Sequence, residues 1–334
     1  MVVAAVPVDP SRLQLEKGRS PIFGERLKHF LTLSDPRSVF ASNKSLESAA
    51  ALLSDSKAYA RASPPERLRA KRLYLSAFDT RTGKRQAVIG RMSFQPWGNT
   101  ILTASMLIFS RTAAQVAGMQ LANQAFNAAV NVVNSTRSAE GKELFKSFAS
   151  ATAAAAGVGM LLKFGTKGPS FEYLQPFIPF AAVAAGQAVN VPLMRAEELK
   201  GGLLVSQGAD EDDTEKSKKK KTKKKAKQIG YSRAAARKAL REVWATRVFM
   251  AVPPMVSVPL AMDAIAANTN ALATNPQLAV AITSLLVGLN LCVSTPLALA
   301  AFPQRGSISV SALEPELKAK LGGVGGYVTY EKGL

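Results

Sequence analysis

From Ala264 to Gln304 the chain carries no charged side chain, and nothing else in it limits the possible folds so strongly. A water-soluble protein of this size rarely leaves so long a stretch uncharged. A helix that crosses a bilayer needs about 20 mostly apolar residues. Further charge-free runs cover Met92–Ser110, Thr112–Thr136, Ser147–Leu162, Tyr173–Met194 and Val248–Met262, and several are long enough to cross. Lipid offers no water to backbone N–H and C=O groups, so such segments satisfy them internally as helices. The runs predict an all-α, multi-span helical membrane protein.

The charges divide the rest. They crowd into residues 1–91, read as a soluble helical N-terminal region, and into 195–247, a charged Lys-rich loop interrupting a transmembrane helical bundle over 92–304. Residues 305–334 read as a short C-terminal tail. The net charge of +20 over 334 residues points to nucleic acid or to membrane flanks. The basic residues sit beside hydrophobic spans, so membrane lipid accounts for most of them and no nucleic-acid partner is expected. An acidic cluster at 210–215 precedes KSKKKKTKKKAK at 216–227. That run reads as a solvated loop first, a patch for anionic headgroups second, and a nuclear tract last, because the spans fix the compartment. Cys292 and His29 are the sole residues of their kinds. They permit no disulfide within the chain and no His/Cys metal site, and no cofactor is expected. The N-terminus has the pattern of neither a secretory signal nor an Arg-rich transit peptide.

Local signals place several boundaries. Asp35-Pro36 has the form of an N-cap followed by proline at the first helical position. Ser63-Pro64-Pro65-Glu66 resembles a capping box opening a helix through Leu68, Leu73 and Phe78. Thr80-Arg81-Thr82-Gly83 reads as a turn. Arg111 interrupts the first apolar region, either as a buried charge within one long span or as an interfacial one that snorkels. Ser147–Leu162 is short for a span, though Lys146 and Lys163 can snorkel. Pro176, Pro179 and Pro192 suit either a kinked structural helix or a broken one that binds solutes. Pro253, Pro254 and Pro259 predict a bent helix, with the next span starting near Asn268–Pro276. A hydroxyl pair precedes Pro296 at Ser294-Thr295, and Ser311-x-x-Glu314 is a weak capping box for a terminal helix.

The most distinctive stretch is NQAFNAAVNVVN at 123–134. At helical spacing Gln120, Asn123, Gln124, Asn127, Asn131 and Asn134 stack along one face, while Leu121, Phe126, Val130 and Val133 occupy the others. An uncharged amide stripe either bonds across a helix bundle as interhelical glue or lines a polar pathway.

These residues resemble the sideroflexins, multi-span proteins of the mitochondrial inner membrane. The match runs through FGERLKHFLTLSDPR at 23–37, IGRMSFQ at 89–95, SRTA at 110–113 and NQAFNAAVN at 123–131. It continues through PFAAVAAGQAVNVPLMR at 179–195, STPLALAAFPQ at 294–304 and ISVSALEPEL at 308–317. Two departures stand out. The family's His-Pro-Asp-Thr-Gly aligns with Asp79, Thr80, Arg81, Thr82 and Gly83, keeping only its last two residues, and the lysine insertion is unusually long. The resemblance implies about five transmembrane helices, multi-pass residence in the mitochondrial inner membrane, and transport of small amino acids, serine foremost, feeding one-carbon metabolism. It also carries labels of tricarboxylate carriage and iron homeostasis. A tricarboxylate needs several cations to offset its desolvation, and the spans supply only Arg111. Iron by direct coordination lacks ligands. Zwitterionic serine fits best.

The reading is therefore a serine or similar small neutral amino-acid transporter and not an enzyme, with a non-transporting scaffold or a tricarboxylate carrier as alternatives. The candidate pathway residues are Asn123, Gln124, Asn127 and Asn131, joined by Asn190 and Thr295, with Arg111 as a candidate for the substrate carboxylate. Orientation is left open, because residues 1–91 and 195–247 are both strongly basic and the positive-inside rule favours neither.

Overall fold

The computed structural model describes residues 8, 10–13, 22–79, 82–134, 141–166, 169–207, 227–322 and 325–332. The chain forms two compact units, residues 1–190 with 247–301, and residues 191–246 with 302–334. Asp210–Glu215 and Lys216–Ala226 lie outside the described residues.

The first unit begins with short helices: α1 (Pro10–Leu13), α2 (Phe23–Leu33), α3 (Asn43–Ser54), α4 (Ser56–Arg61) and α5 (Pro64–Ala77). Their starts follow the sequence signals. Asp35 caps a 3-10 turn over Pro36–Phe40, its carboxylate accepting from the Arg37 N–H at 3.0 Å. The Glu66 carboxylate reaches back to the Ser63 N–H at 2.8 Å, closing the capping box that opens α5. Leu46, Leu53, Leu73, Tyr74 and Phe78 pack one core, in which the Tyr74 and Phe78 rings stack at 4.7 Å. The turn after α5 closes by a Gly83 N–H to Asp79 carbonyl bond at 2.8 Å. Gly83 takes a φ of 67° there, a conformation that favours glycine. Thr80 and Arg81 of that turn are outside the described residues.

The apolar helices follow: α6 (Gln95–Phe109), α7 (Ala113–Asn134), α8 (Gly141–Gly165) and α9 (Ile178–Met194), the last preceded by a 3-10 segment over Pro169–Phe177. After α10 (Ala196–Gly201) come α11 (Arg233–Asn268), α12 (Ala271–Thr274) and α13 (Pro276–Ala301). Four described segments are long and apolar enough to cross a membrane: Phe145–Gly165, Phe171–Met194, Arg233–Asn268 and Pro276–Ala301. At 22 residues, α7 also has the length, about 33 Å at 1.5 Å per residue, while its amides lower its apolarity. The 15 residues of α6 reach only about 22 Å, short of the roughly 30 Å hydrocarbon core.

Arg111 lies in neither helix. The chain turns at Ser110–Thr112, where the Gln115 side chain accepts from the Arg111 and Thr112 N–H groups and the Thr112 hydroxyl accepts from the Gln115 N–H. This is a capping box, Thr112-x-x-Gln115, and it starts α7. The first apolar region is thus two helices, with an exposed Arg111 at their turn. Pro176 and Pro179 flank the point at Ile178 where 3-10 geometry gives way to α, whereas α9 runs through Pro192, and α11 through Pro253, Pro254 and Pro259, as single helices.

Close packing in this unit uses small residues. A Cβ on Gly159 of α8 would meet Val116 of α7 at 2.6 Å and Ala182 of α9 at 3.2 Å. Small side chains let three backbones approach where lipid supplies no hydrophobic drive between helices. Elsewhere Ala104, Val258, Val287 and Leu291 join α6, α11 and α13. The Arg26 guanidinium of α2 donates to the Ala300 carbonyl at 2.8 Å, satisfying the end of α13.

The second unit holds an element the sequence reading did not anticipate, a four-stranded antiparallel sheet. Its strands are β1 (Leu203–Gln207), β2 (Lys227–Ser232), β3 (Arg305–Ser309) and β4 (Tyr327–Glu331), in the order β2-β1-β4-β3. Flanks of the charged loop and most of the tail thus form one body. Val205, Ile308, Val328 and Tyr330 face a core shared with Ala235, Ala239 and with Leu317 of α14 (Pro315–Lys320). The expected box at Ser311 and Glu314 does not form. Glu314 sits at the N-cap of α14, and its carboxylate accepts from the Ala234 N–H of α11 at 2.8 Å. Ser311 instead bonds Ser309. Burial pushes the Glu314 carboxyl up, but hydrogen bonds from backbone N–H groups, that of Ala234 first, and from the Ser232 side chain together hold it below its ordinary range.

Candidate functional site

Three amide side chains on one face of α7 are buried: Gln120 at 1% exposure, Asn123 at 7% and Gln124 at 2%. Gln120 Oε1, Asn123 Nδ2 and Gln124 Nε2 have no hydrogen-bond partner among the described residues. The Gln120 amide donates only a weak contact to Met106 Sδ of α6, at 3.6 Å. A buried amide atom left unpaired costs about 1–3 kcal/mol. These three atoms take no part in interhelical hydrogen bonds among the described residues.

The α9 side of the site is built by glycine. A Cβ at Gly186 would lie 2.5 Å from Gln124 Nε2, 3.0 Å from Ala155 Cβ and 3.5 Å from the Ala151 carbonyl oxygen. The missing side chain gives the Gln124 amide its place between α8 and α9. Gln187 and Asn190, both buried, follow on the same helix, Asn190 one turn beyond Gly186. Gln187 Oε1 accepts from the Arg247 guanidinium of α11 at 3.4 Å. Along the same two helices, Val183 and Met255 pack with Met106, flanked by Met119, Phe180 and Ala251. The polar group thus borders an apolar plug one turn away on α9.

Of the residues singled out by sequence, Asn123 and Gln124 lie in this group, and Asn190 is buried on the facing helix. Asn127 is half-buried on α7. The side chain of Asn131 is outside the described residues. Thr295 is buried on α13 beside Ser294, whose hydroxyl donates to the Met250 carbonyl at 3.4 Å. No hydrogen bond joins Thr295 to the α7 amides among the described residues. Arg111 stands apart at its exposed turn. Gln120 was visible in the stripe but not chosen, and Gln187 and Arg247 were missed. Arg247 closes the charged loop in the sequence and so resembles an ordinary membrane flank.

The arrangement can hold a small polar solute through amides that offer donors and acceptors, with one cation at its edge. No group of three or more His, Cys, Asp or Glu side chains that could hold a metal ion occurs among the described residues. Fold and site together define a multi-pass helical membrane protein with a largely uncharged polar interior face.

Comparison with known proteins gives this class a family. The sideroflexin family model matches residues 20–334, and the chain belongs to the sideroflexins. It is 38% identical to human sideroflexin-1 over 89% of this chain and 88% of that one. Identity to sideroflexin-3 of Bos taurus is 37% over the same shares. Human sideroflexin-3 is 35% identical, covering 95% of this chain and 94% of its own. No solved structure matches.

Proposed function

We propose that this sideroflexin carries serine, or a neutral amino acid of similar size, across the mitochondrial inner membrane by alternating access. The observation that carries the proposal is the trio of buried, unpaired amide atoms at Gln120, Asn123 and Gln124. Their desolvation cost persists without an intrahelical or interhelical return, as at a site whose partner is a passing solute. Amides suit a hydroxyl and an ammonium without adding net charge. The broken start of α9 adds irregular backbone of the kind that transporters place beside their substrates.

The charge balance argues against a tricarboxylate. Among the described residues, a guanidinium bond reaches the α7–α9 group from Arg247, at Gln187, and one cation leaves most of a trianion uncompensated. Residence in the mitochondrial inner membrane rests on the family resemblance, as does the choice of serine.

The test is uptake of labelled serine by proteoliposomes containing the purified protein, with other amino acids and citrate as competitors. Saturable uptake blocked by small neutral amino acids and not by citrate is the expected result. Flux no greater than that of empty liposomes, from folded protein, overturns the carrier reading in favour of a scaffold.

A further inference from the structure

We infer that Arg91 and Arg85 hold one phosphate group, that of an anionic phospholipid, where the chain enters α6. The inference goes beyond the carrier reading and does not depend on it.

Arg91 lies four residues before the start of α6 and is only 5% exposed. Among the described residues its guanidinium makes one hydrogen bond, from Nε to the Gln86 carbonyl at 3.2 Å, and no carboxylate pairs with it. A charge held this far from water calls for a counter-charge, because desolvation costs several kcal/mol per ion. The bond to Gln86 also ties Arg91 to the chain beside Arg85. That strip is fixed against the end of α5 by a bridge between Phe78 and Arg85 and by the Gln86 N–H donating to the Ala77 carbonyl at 2.9 Å. Arg85 Nη1 is buried without a hydrogen bond, and the half-exposed Glu47 carboxylate stands 3.9 Å from it, too far for one. Burial first, and then the like charge of Arg85, push the Arg91 pKa down. An anion shared by the two guanidinium groups relieves both effects. A phosphodiester suits them, because its two free oxygens match the fork of a guanidinium.

The surroundings favour a lipid as the source of that phosphate. Trp97 and Phe40 meet edge to face at 5.5 Å, and both are exposed, as is Ile101 one turn beyond Trp97. The Trp97 indole N–H donates to the Pro36 carbonyl at 3.0 Å. An aromatic ring exposed while its polar tip is satisfied is the pattern of a membrane interface. At 15 residues α6 is short for the hydrocarbon layer, and a short span draws its flanks toward that layer. Headgroup phosphates are the anions available at such depth. Acyl chains attached to the phosphate would cover Trp97, Phe40 and Ile101, whereas a soluble phosphate leaves them bare.

The experiment follows thermal unfolding of the full chain in phosphatidylcholine nanodiscs. Three probes are compared: a rising fraction of phosphatidylglycerol in the disc, glycerol 3-phosphate in solution, and inorganic phosphate in solution. Phosphatidylglycerol is expected to raise the unfolding temperature saturably, even in salt that screens exposed charges, while the two soluble phosphates leave it unchanged. Arg91→Gln should weaken the apparent lipid affinity about tenfold or more. Arg91→Lys keeps the charge but not the fork and should weaken it less. Arg85→Gln should weaken it too, whereas Arg61→Gln, at an exposed position on α4, should not. If Arg91 only braces the Gln86 carbonyl, Arg91→Gln unfolds earlier with its lipid response intact, and that result overturns the assignment. So does a soluble phosphate that matches the lipid, which marks a free-anion site, or a wild type that responds to phosphatidylglycerol no more than to phosphatidylcholine. The wild-type comparisons and Arg85→Gln decide the matter even where Arg91→Gln fails to fold.

Discussion

Gln124→Met separates a pathway from interhelical glue, because the two readings assign opposite signs to its effect on stability. Gln124 is 2% exposed and its Nε2 is unpaired, a burden of about 1–3 kcal/mol. Methionine keeps an unbranched side chain of similar length, and swaps that conserve volume cost less than about 1.5 kcal/mol. The net expectation is no loss, with up to about 2 kcal/mol gained as the unsatisfied donor disappears. If the amide were glue, the variant would lose an interhelical bond worth about 0.6 kcal/mol on average in membranes, and stability would fall. Transport should move the other way. Losing one hydrogen bond to the solute, at roughly 0.5–1.5 kcal/mol, raises the serine KM about 2- to 10-fold. Thermal unfolding of the detergent-solubilised protein and serine uptake in proteoliposomes read the two quantities on one preparation. A variant that unfolds at lower temperature yet transports normally per folded molecule refutes the reasoning.

Other outcomes follow from the same geometry. Gly186→Ala puts a methyl 2.5 Å from Gln124 Nε2, so uptake should fall with a stability cost of about 1 kcal/mol or more. Gly157→Ala on α8 meets nothing within 4 Å, and should gain about 0.5–1 kcal/mol of stability with uptake intact. Hydrogen bonding and pairing with Arg37, and the charge of Arg72, hold the Asp35 carboxyl below its usual range despite its burial. A depressed carboxylate stabilises the fold above its unfolded pKa and loses that contribution as pH falls through the folded value. The stability difference between wild type and Asp35→Asn should therefore be full near neutrality, begin to shrink near the ordinary carboxylate pKa of about 4, and be lost as pH falls further through the lowered folded value. Lys332, 3% exposed, pairs with Glu242 in the second unit. Lys332→Met should cost about 2 kcal/mol, less than a fully buried pair because Glu242 keeps 19% exposure. Hydrogen exchange at Tyr327–Glu331 reads the loss, and adding Glu242→Leu should recover most of it.

The helical bundle was legible because lipid imposes a one-dimensional rule: a span must be apolar for its whole length, and charge-free runs record this directly. Caps were legible for a related reason. Asp35, Ser63 and Glu66 bond within four residues, so their spacing carries the geometry. The sheet was not, because β1 pairs with both β2 and β4, and β4 lies more than a hundred residues further on. Its strands are short, and Leu203–Gln207 taken alone resembles any apolar segment before a charged loop. Glu314 shows the same limit. Its spacing to Ser311 suggested a local box, and a distant N–H at Ala234 took the carboxylate instead.

The site divides along the same line. The amide face of α7 is a property of one helix and could be read from its period. Which amides are buried, and which are satisfied, depends on what α8 and α9 place opposite them, and a glycine at 186 leaves no trace of that role in its own spacing. The two arginines make the contrast plain. Arg111 interrupts an apolar run and so drew attention, yet Thr112 and Gln115 cap a helix beside it and keep it at an exposed turn. Arg247 sits where a charged loop ends and resembled a flank, yet α9 brings the buried Gln187 to it. In a membrane interior a cation matters by what faces it, since desolvation makes its partner the dominant energy. That partner is set by helix packing. One such partner of Arg247 is Gln187, an uncharged amide of α9 whose approach no spacing along α11 records.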